Sequence, residues 1–361
     1  MKVKSLEIQN FRNISNLNLE FDDEINVICG ENAQGKTNII EALWLFSGAK
    51  SFRNSKDNEF IKFEENKAKL TVKYEMLGVE NDASIIFSDK KTAYLNEKKL
   101  SNTSNLAGKF NAVVFSPSDL NIVTSGPDKR RRFLDIAIGQ LYPNYIEILK
   151  NYSRAVMQRN KIIKEYRYDK SLSIMLDVFE SEIVDMGNKI IKYRKNYIDI
   201  LNKFVSGIYE GISCGKEKIE IYYISKCGEI LDKEKLKISR EIDVYTSTTS
   251  VGPHRDDINF KINGINARNF ASQGQKRSIA LSLKLAGAEA ISINEQRIVY
   301  DSYIVDLGGT FISINGKREV SPYIVKAIGN PIYLESELSK KQYGYIDTKL
   351  EEGKEIFIDL K

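Results

Sequence analysis

The chain opens with a period of two. Leu6 and Ile8 alternate with Ser5, Glu7 and Gln9, and Leu17, Leu19 and Phe21 alternate with Asn18 and Glu20. This predicts two half-buried strands joined as a hairpin. "EINVICG" follows, a short apolar run ending on Gly30, which is the pattern of a strand covered on both faces. From Thr37 the period becomes helical, with Ile39, Ile40, Leu43 and Trp44 on one side. Between residues 68 and 115, "KLTVKYEM", "ASIIFS", "TAYLN" and "AVVFS" predict further strands separated by polar turns. Helical spacing then dominates from Phe133 to about Phe204, where the main breakers are Pro143 and Gly187. Stretches such as "YIEILKNYSRAVMQRNKIIKEY" predict long amphipathic helices whose heptads are too irregular for a coiled coil. A last apolar run, Ile279 to Leu285, predicts a helix after "SQGQKR".

The pattern therefore predicts an α/β protein with a helical insertion, and 361 residues allow two or three domains. A net charge of +5 permits a polyanionic partner without demanding one. Cys29, Cys214 and Cys227 lie far apart, and His254 is the single histidine, so neither a disulfide framework nor a zinc site is expected. The N-terminus lacks the apolar run of a signal peptide and no stretch approaches a membrane span. The expectation is a cytoplasmic protein without a membrane partner.

Candidate chemistry concentrates where the buried strand meets its helix. Residues 30 to 37 read G-x-x-x-x-G-K-T, and all eight (Gly30, Glu31, Asn32, Ala33, Gln34, Gly35, Lys36, Thr37) are candidate ATP contacts. A strand-to-helix loop offers successive amides and the positive end of a helix to an anion. Gly30 and Gly35 open backbone angles closed to other residues, Lys36 reaches terminal phosphates, and the Thr37 hydroxyl is a ligand for Mg²⁺. The four fixed residues recur by chance in roughly 1% of chains this long, and the strand–loop–helix setting lowers that figure. Arg12, in "NFRNI", reads equally as a residue near the nucleotide or as a solvated turn arginine.

Three further segments stand out. In "GPDKRRRFLD", Asp128 is a candidate helix cap, and the cations of the first turn oppose the helix dipole unless an anion lies close. Arg130, Arg131 and Arg132 are accordingly candidate DNA contacts. Arg154, Arg159, Lys161, Lys164 and Arg167, interleaved with Tyr152 and Tyr166, form a candidate strip for a DNA backbone. "GPHRDD" reads either as a loop with a packed structural histidine or as an exposed functional loop. Ser272, Gln273, Gly274 and Gln275 make a second phosphate-friendly helix N-terminus.

"NFRNI", "GENAQGKTNIIEAL", "FSPSDLNIVTSGPDKRRRFLD", "VGPHRDD" and "FASQGQKRSIALSLKLA" occur in an order that resembles the RecF family of bacterial recombination and repair ATPases, relatives of SMC heads. The resemblance spans about residues 1 to 286, with "SPSDL" around Asp119 slightly atypical. It implies an ABC-ATPase head (1–124 plus 241–286) and a helical lobe (125–240). It also implies an ATP-dependent homodimer in which Ser272 to Gln275 contact the partner subunit's ATP. By the same resemblance the protein acts on DNA at single-strand gaps and single-strand/double-strand junctions, with the RecO and RecR mediators, in replication restart and SOS induction.

Beyond the signature helix the family carries an apolar strand ending in paired acids, one for Mg²⁺ and one to polarise the attacking water. Here "RIVYD" and "SYIVDLGG" end in single acids, Asp301 before Ser302 and Asp306 before Leu307. The catalytic residues are thus unassigned, and an ATP-binding scaffold without turnover is the alternative expectation. "GAEAISIN" and "PYIVKAIG" instead resemble DUF881/YlxW-like proteins. Residues 287–361 therefore read as a small α+β segment of different origin, with a seam near Ala286 and Gly287.

Overall fold

The structure is a computed structural model. It describes residues 1–296 apart from Leu77, together with the strands at 302–306, 313–314, 317–318, 332–334 and 356–359. From residue 293 onward only the backbone path and its pairing are described. Two compact units divide the chain, Met1–Asp119 with Ala280–Lys361, and Leu120–Ile279.

The first unit contains two large sheets and one short two-stranded one. Strands β1 (Lys2–Phe11) and β2 (Ile14–Glu20) form the expected hairpin, with β3 (Asn26–Cys29) and α1 (Lys36–Leu45) after it. Next come β4 (Ala68–Met76), β5 (Val79–Phe87), β6 (Thr92–Leu95), β7 (Lys98–Lys99) and β8 (Ala112–Phe115). One sheet is antiparallel, in the order β2-β1-β4-β5-β6-β7. Its inward positions, among them Leu6, Ile8, Leu70, Val72 and Ile85, are fully buried, which explains the period of two.

The second unit is mainly helical. It holds α2 (Asn121–Thr124), α3 (Pro127–Leu141), α4 (Pro143–Tyr166), α5 (Ser173–Ile212), β9 (Ile219–Ile224), α6 (Lys233–Thr246), β10 (Asp257–Ile262), β11 (Ile265–Asn266) and α7 (Ala267–Phe270). Helix α8 (Gln273–Gln296) begins here and is divided between the units at Ile279. Gly187 does not break α5. A Cβ at that position would stand 2.8 Å from Leu231 Cδ2, so the glycine lets the chain after β9 pack directly against the helix. Strands β9, β10 and β11 form a small antiparallel sheet, and Asn202 of α5 closes the outer edge of β9 by bonding both Ile221 N and Ile221 O.

One boundary differs from the sequence expectation. Residues 241–279, expected with the head, belong to the second unit. The cause is a buried charge network, in which Arg159 of α4 donates to Glu180 (3.0 Å), Asp243 (2.7 Å) and Thr249 (3.0 Å). Arg159 is therefore removed from the DNA strip, and Tyr152 likewise points inward. The segment after residue 287, read from the sequence as of different origin, contributes strands to the first unit. Its strands β12 (Ser302–Asp306), β15 (Ile332–Leu334) and β16 (Ile356–Asp359) join β3 and β8 in one parallel sheet, ordered β16-β3-β15-β12-β8. The hairpin strands β13 (Ser313–Ile314) and β14 (Lys317–Arg318) stand apart. A strand as apolar as β3 needs neighbours on both edges and cover on both faces, and these strands supply the edges. Helix α8 runs through the seam at Ala286 and Gly287 without interruption.

Candidate functional site: a phosphate loop and a second helix terminus

The turn from β3 to α1 has a backbone built for close approach. Gly30, Ala33 and Gly35 take φ of 144°, 68° and 99°, and α1 begins at Lys36 with Gly35 as its N-cap. That cap has no side-chain hydrogen bond, and the first turn holds no acid. Asn38 N and Ile39 N turn back to Gly35 O, while the amides of Gly35, Lys36 and Thr37 have no acceptor among the described residues. An uncapped helix start with a positive dipole end is a site for an anion.

Lys36 is 7% exposed and donates to Gly30 O (2.6 Å) and Glu31 O (2.9 Å). The ammonium thus holds the loop closed on itself and keeps one of its three donors for a phosphate. Glu31 to Gln34 are exposed, and the Thr37 hydroxyl, a hard oxygen donor, stands at the helix start. This donor set fits a magnesium-bound nucleoside triphosphate.

The β1–β2 turn supports the loop from below. Asn13 donates to Ala33 O (2.9 Å) and accepts from Asn38 Nδ2 (2.7 Å). A Cβ on Gly35 would lie 3.0 Å from Asn13 Oδ1. Arg12 is neither free in solvent nor aimed at the loop amides. It grips the fully buried Glu41 of α1 at 3.0 to 3.1 Å and stacks over Phe60, 4.9 Å from the ring centre. Arg53, which the sequence pattern did not single out, stands 3.6 Å from the same carboxylate and donates to Asn38 Oδ1 (2.8 Å). Its local sequence carries no periodic or turn signal that would have marked it.

In the parallel sheet, Asp306 is level with Leu334 of β15, which in turn is level with Ile28 of β3. Two strand spacings put the Asp306 backbone about 10 Å from Ile28, on the edge where the phosphate loop begins. Asp301 lies outside the described residues. Asp119, in the atypical "SPSDL", caps Ser116 N (2.6 Å) and pairs with Lys284 of α8 (2.9 Å).

In the second unit, Ser272 and Gln275 cap α8 reciprocally. Gln275 N donates to Ser272 Oγ (3.2 Å), and Ser272 N donates to Gln275 Oε1 (2.7 Å). Gln275 is anchored further by Glu217 (2.6 Å). Ser272, Gln273 and Gly274 are exposed. Gly274 has ordinary backbone angles, and a Cβ there would meet only Ser272 Oγ at 3.8 Å, so nothing inside the chain demands a glycine there.

The arginine run is placed otherwise than expected. The helix starts one residue before Asp128, at Pro127, and Asp128 pairs with Arg131 in its first turn. Arg130 is 1% exposed and makes a bidentate pair with Asp257 (2.6 and 2.9 Å), also donating to Ser125 O. Arg131 donates to Asp256 O (2.6 Å), and Arg132 is half-buried, where desolvation lowers its pKa. The anion that offsets these cations is the protein's own "RDD" segment. As a DNA contact Arg130 is corrected, because its donors are held inside. His254 is a packed residue. Its Nδ1 faces Tyr152 Oη (2.6 Å) and its Nε2 faces Thr249 O (2.9 Å), an arrangement that suits the neutral ring with the proton on Nε2. Burial pushes its pKa down to about 4.

A strand-to-helix loop of this kind on a parallel sheet, in a chain with a helical lobe and a second, exposed helix start, defines a P-loop ATPase head. Residues 2–300 match the family described as RecF/RecN/SMC N terminal domain. The chain belongs to the RecF family. The DNA replication and repair protein RecF of Lachnoclostridium phytofermentans is 38% identical over 321 residues, 88% of each chain, and that of Bacillus cytotoxicus is 39% identical over 303 residues, 81% of each. A solved structure of the recombination mediator protein RecF with ATP superposes with a TM-score of 0.86 at 31% identity, covering 94% of this chain and 93% of that one. A Pyrococcus furiosus Smc head domain shares the fold, with a TM-score of 0.50 at 14% identity over 97% of this chain and 99% of that one. Residues 271–360 also match the bacterial proteins of unknown function called DUF881. No helix among the described residues is long and apolar enough to cross a membrane.

Proposed function

We propose that this chain binds ATP with Mg²⁺ at residues 30–37, associates with a second copy on doing so, and acts on DNA gaps and junctions with the RecO and RecR mediators. The observation that carries the reading is the uncapped start of α1 beside Lys36. The loop amides and the Lys36 ammonium would hold the phosphates, and the Thr37 hydroxyl would be an oxygen donor to Mg²⁺. Bound there, Mg²⁺ would supply neutralisation of phosphate charge. Ser272 to Gln275 meet the partner's nucleotide, a role supported by an exposed helix start in which Gly274 leaves room that the chain itself does not fill.

A second reading concerns turnover. Asp306 stands at the carboxyl end of β12, and the next residue is Leu307, which has no lone pair with which to orient an attacking water. The protein then binds ATP and hydrolyses it slowly or not at all, working as an ATP-gated scaffold. Equilibrium binding of Mg-ATP and the association state by light scattering test the first reading. Lys36→Ala should abolish both binding and association, and retained ATP affinity in that variant counts against the site. Turnover measured with DNA separates the readings: brisk Mg²⁺-dependent hydrolysis would remove the scaffold.

A further inference from the structure

Helix α4 has two unlike faces. Tyr145, Tyr152, Arg159, Ile162 and Ile163 are buried on one, whereas Lys150, Arg154, Met157, Lys161 and Lys164 are exposed on the other. Their spacings of four, three, four and three residues keep them in a single stripe. Between Glu147 and Glu165 this stripe carries no acid. None of its four cations has an ion pair or side-chain hydrogen bond among the described residues. Three acids of the neighbouring helices are engaged by inner arginines, since Glu180 and Asp243 hold Arg159, and Glu180 with Asp177 holds Arg240. Arg159 and Arg240 thus neutralise these acids, and the four outer cations of α4 have no ion pair of their own among the described residues.

We infer that this outer face is a track for the phosphate backbone of duplex DNA, held by Lys150, Arg154, Lys161 and Lys164. The inference rests on the DNA reading above and gives that contact a place. At 1.5 Å per residue the cations form two pairs, Lys150 with Arg154 and Lys161 with Lys164, whose centres are about 16 Å apart. Two phosphate rows bordering a major groove about 12 Å wide fit that separation. A single-stranded track requires aromatic side chains on which bases stack. Positions 150 to 164 of the outer face carry none, which leaves the backbone of a duplex as the matching polyanion. Arg154, Lys161 and Lys164 were legible as basic residues in the sequence, whereas Lys150 joins them, and Arg159 leaves them, only through the direction each side chain takes.

The test uses the full chain with Mg-ATP and a fluorescent 30-base-pair duplex over roughly 50–200 mM salt. Replacing Lys150, Arg154, Lys161 and Lys164 together by Gln should weaken duplex binding at least tenfold near 100 mM salt. The slope of log affinity against log salt should fall by about 3.6, since each of the four phosphate contacts contributes about 0.9. A control with Lys90, Lys98, Lys99 and Lys109 changed to Gln, all exposed in the first unit, should change affinity less than threefold. ATP affinity should be unchanged in both variants, because neither touches the phosphate loop. An unchanged slope in the α4 variant, or an equal loss in the control, overturns the track and leaves the DNA reading standing. Absence of salt-dependent duplex binding by the unmodified chain removes the DNA reading and the track with it. Tighter binding of a single strand, with the same loss of slope in the α4 variant, overturns the duplex assignment.

Discussion

Replacing Arg130 by Ala separates a surface cation from an internal clamp. The guanidinium is 1% exposed and the Asp257 side chain 17%, and together they make two charge-assisted bonds of 2.6 and 2.9 Å. Removing one partner of a buried pair costs about 3–5 kcal/mol, because the other charge stays behind without compensation. Asp257 retains some access to water, which puts the expected cost near the lower end, about 3 kcal/mol. The carbonyls of Ser125 and Ile122 lose a donor as well. For a domain of this size about 2–4 °C accompany each kcal/mol, so the melting temperature should fall by roughly 6–12 °C. Arg130→Lys should recover less than half of this, since an ammonium cannot form the planar fork with a carboxylate. The double variant Arg130→Met, Asp257→Asn should be more stable than Arg130→Ala alone, because no bare charge remains. Differential scanning calorimetry and urea titration read these outcomes. The reasoning is refuted if Arg130→Ala melts within about 1 °C of the unmodified chain while the salt slope of DNA binding drops by about 0.9.

Two other expectations follow from the packing around His254. With its pKa near 4 when folded and about 6.5 when unfolded, the unfolded chain takes up the proton first as pH falls. The stabilisation from His254 is therefore complete above pH 6.5 and is lost between pH 6.5 and 4, amounting to about 2 kcal/mol by pH 5. Asp256, whose pKa burial raises, works in the opposite direction at the acid end. Urea midpoints at pH 7 and pH 5 should converge for the unmodified chain and His254→Gln as the pH is lowered; parallel losses would refute the assignment. Gly252 has φ of 130°, and a Cβ there would meet Tyr152 Oη at 2.5 Å, so Gly252→Ala should cost at least about 2 kcal/mol. Gly274→Ala should leave the melting temperature unchanged yet weaken ATP-dependent association, and a variant that associates normally would argue against the trans contact.

Periodicity and motif spacing, without any coordinates, determined the β1–β2 hairpin, the buried strand β3, the long helices α4 and α5, and the glycine turn that carries Lys36 and Thr37 into α1. These features are local: each depends on which residues lie two, three or four positions apart, or on amides adjacent in the chain. What tertiary structure decided was the fate of charge. Arg130 and Arg154 look alike in a string, but one is drawn into Asp257 127 residues away and the other faces water. Arg12 belongs to Glu41, His254 to Tyr152, and Asp306 to the sheet edge of the phosphate loop, each through partners far off in sequence. A side chain's surroundings, and hence its charge state and its availability to a ligand, are set by the packing of distant segments, and no window along the chain contains that information.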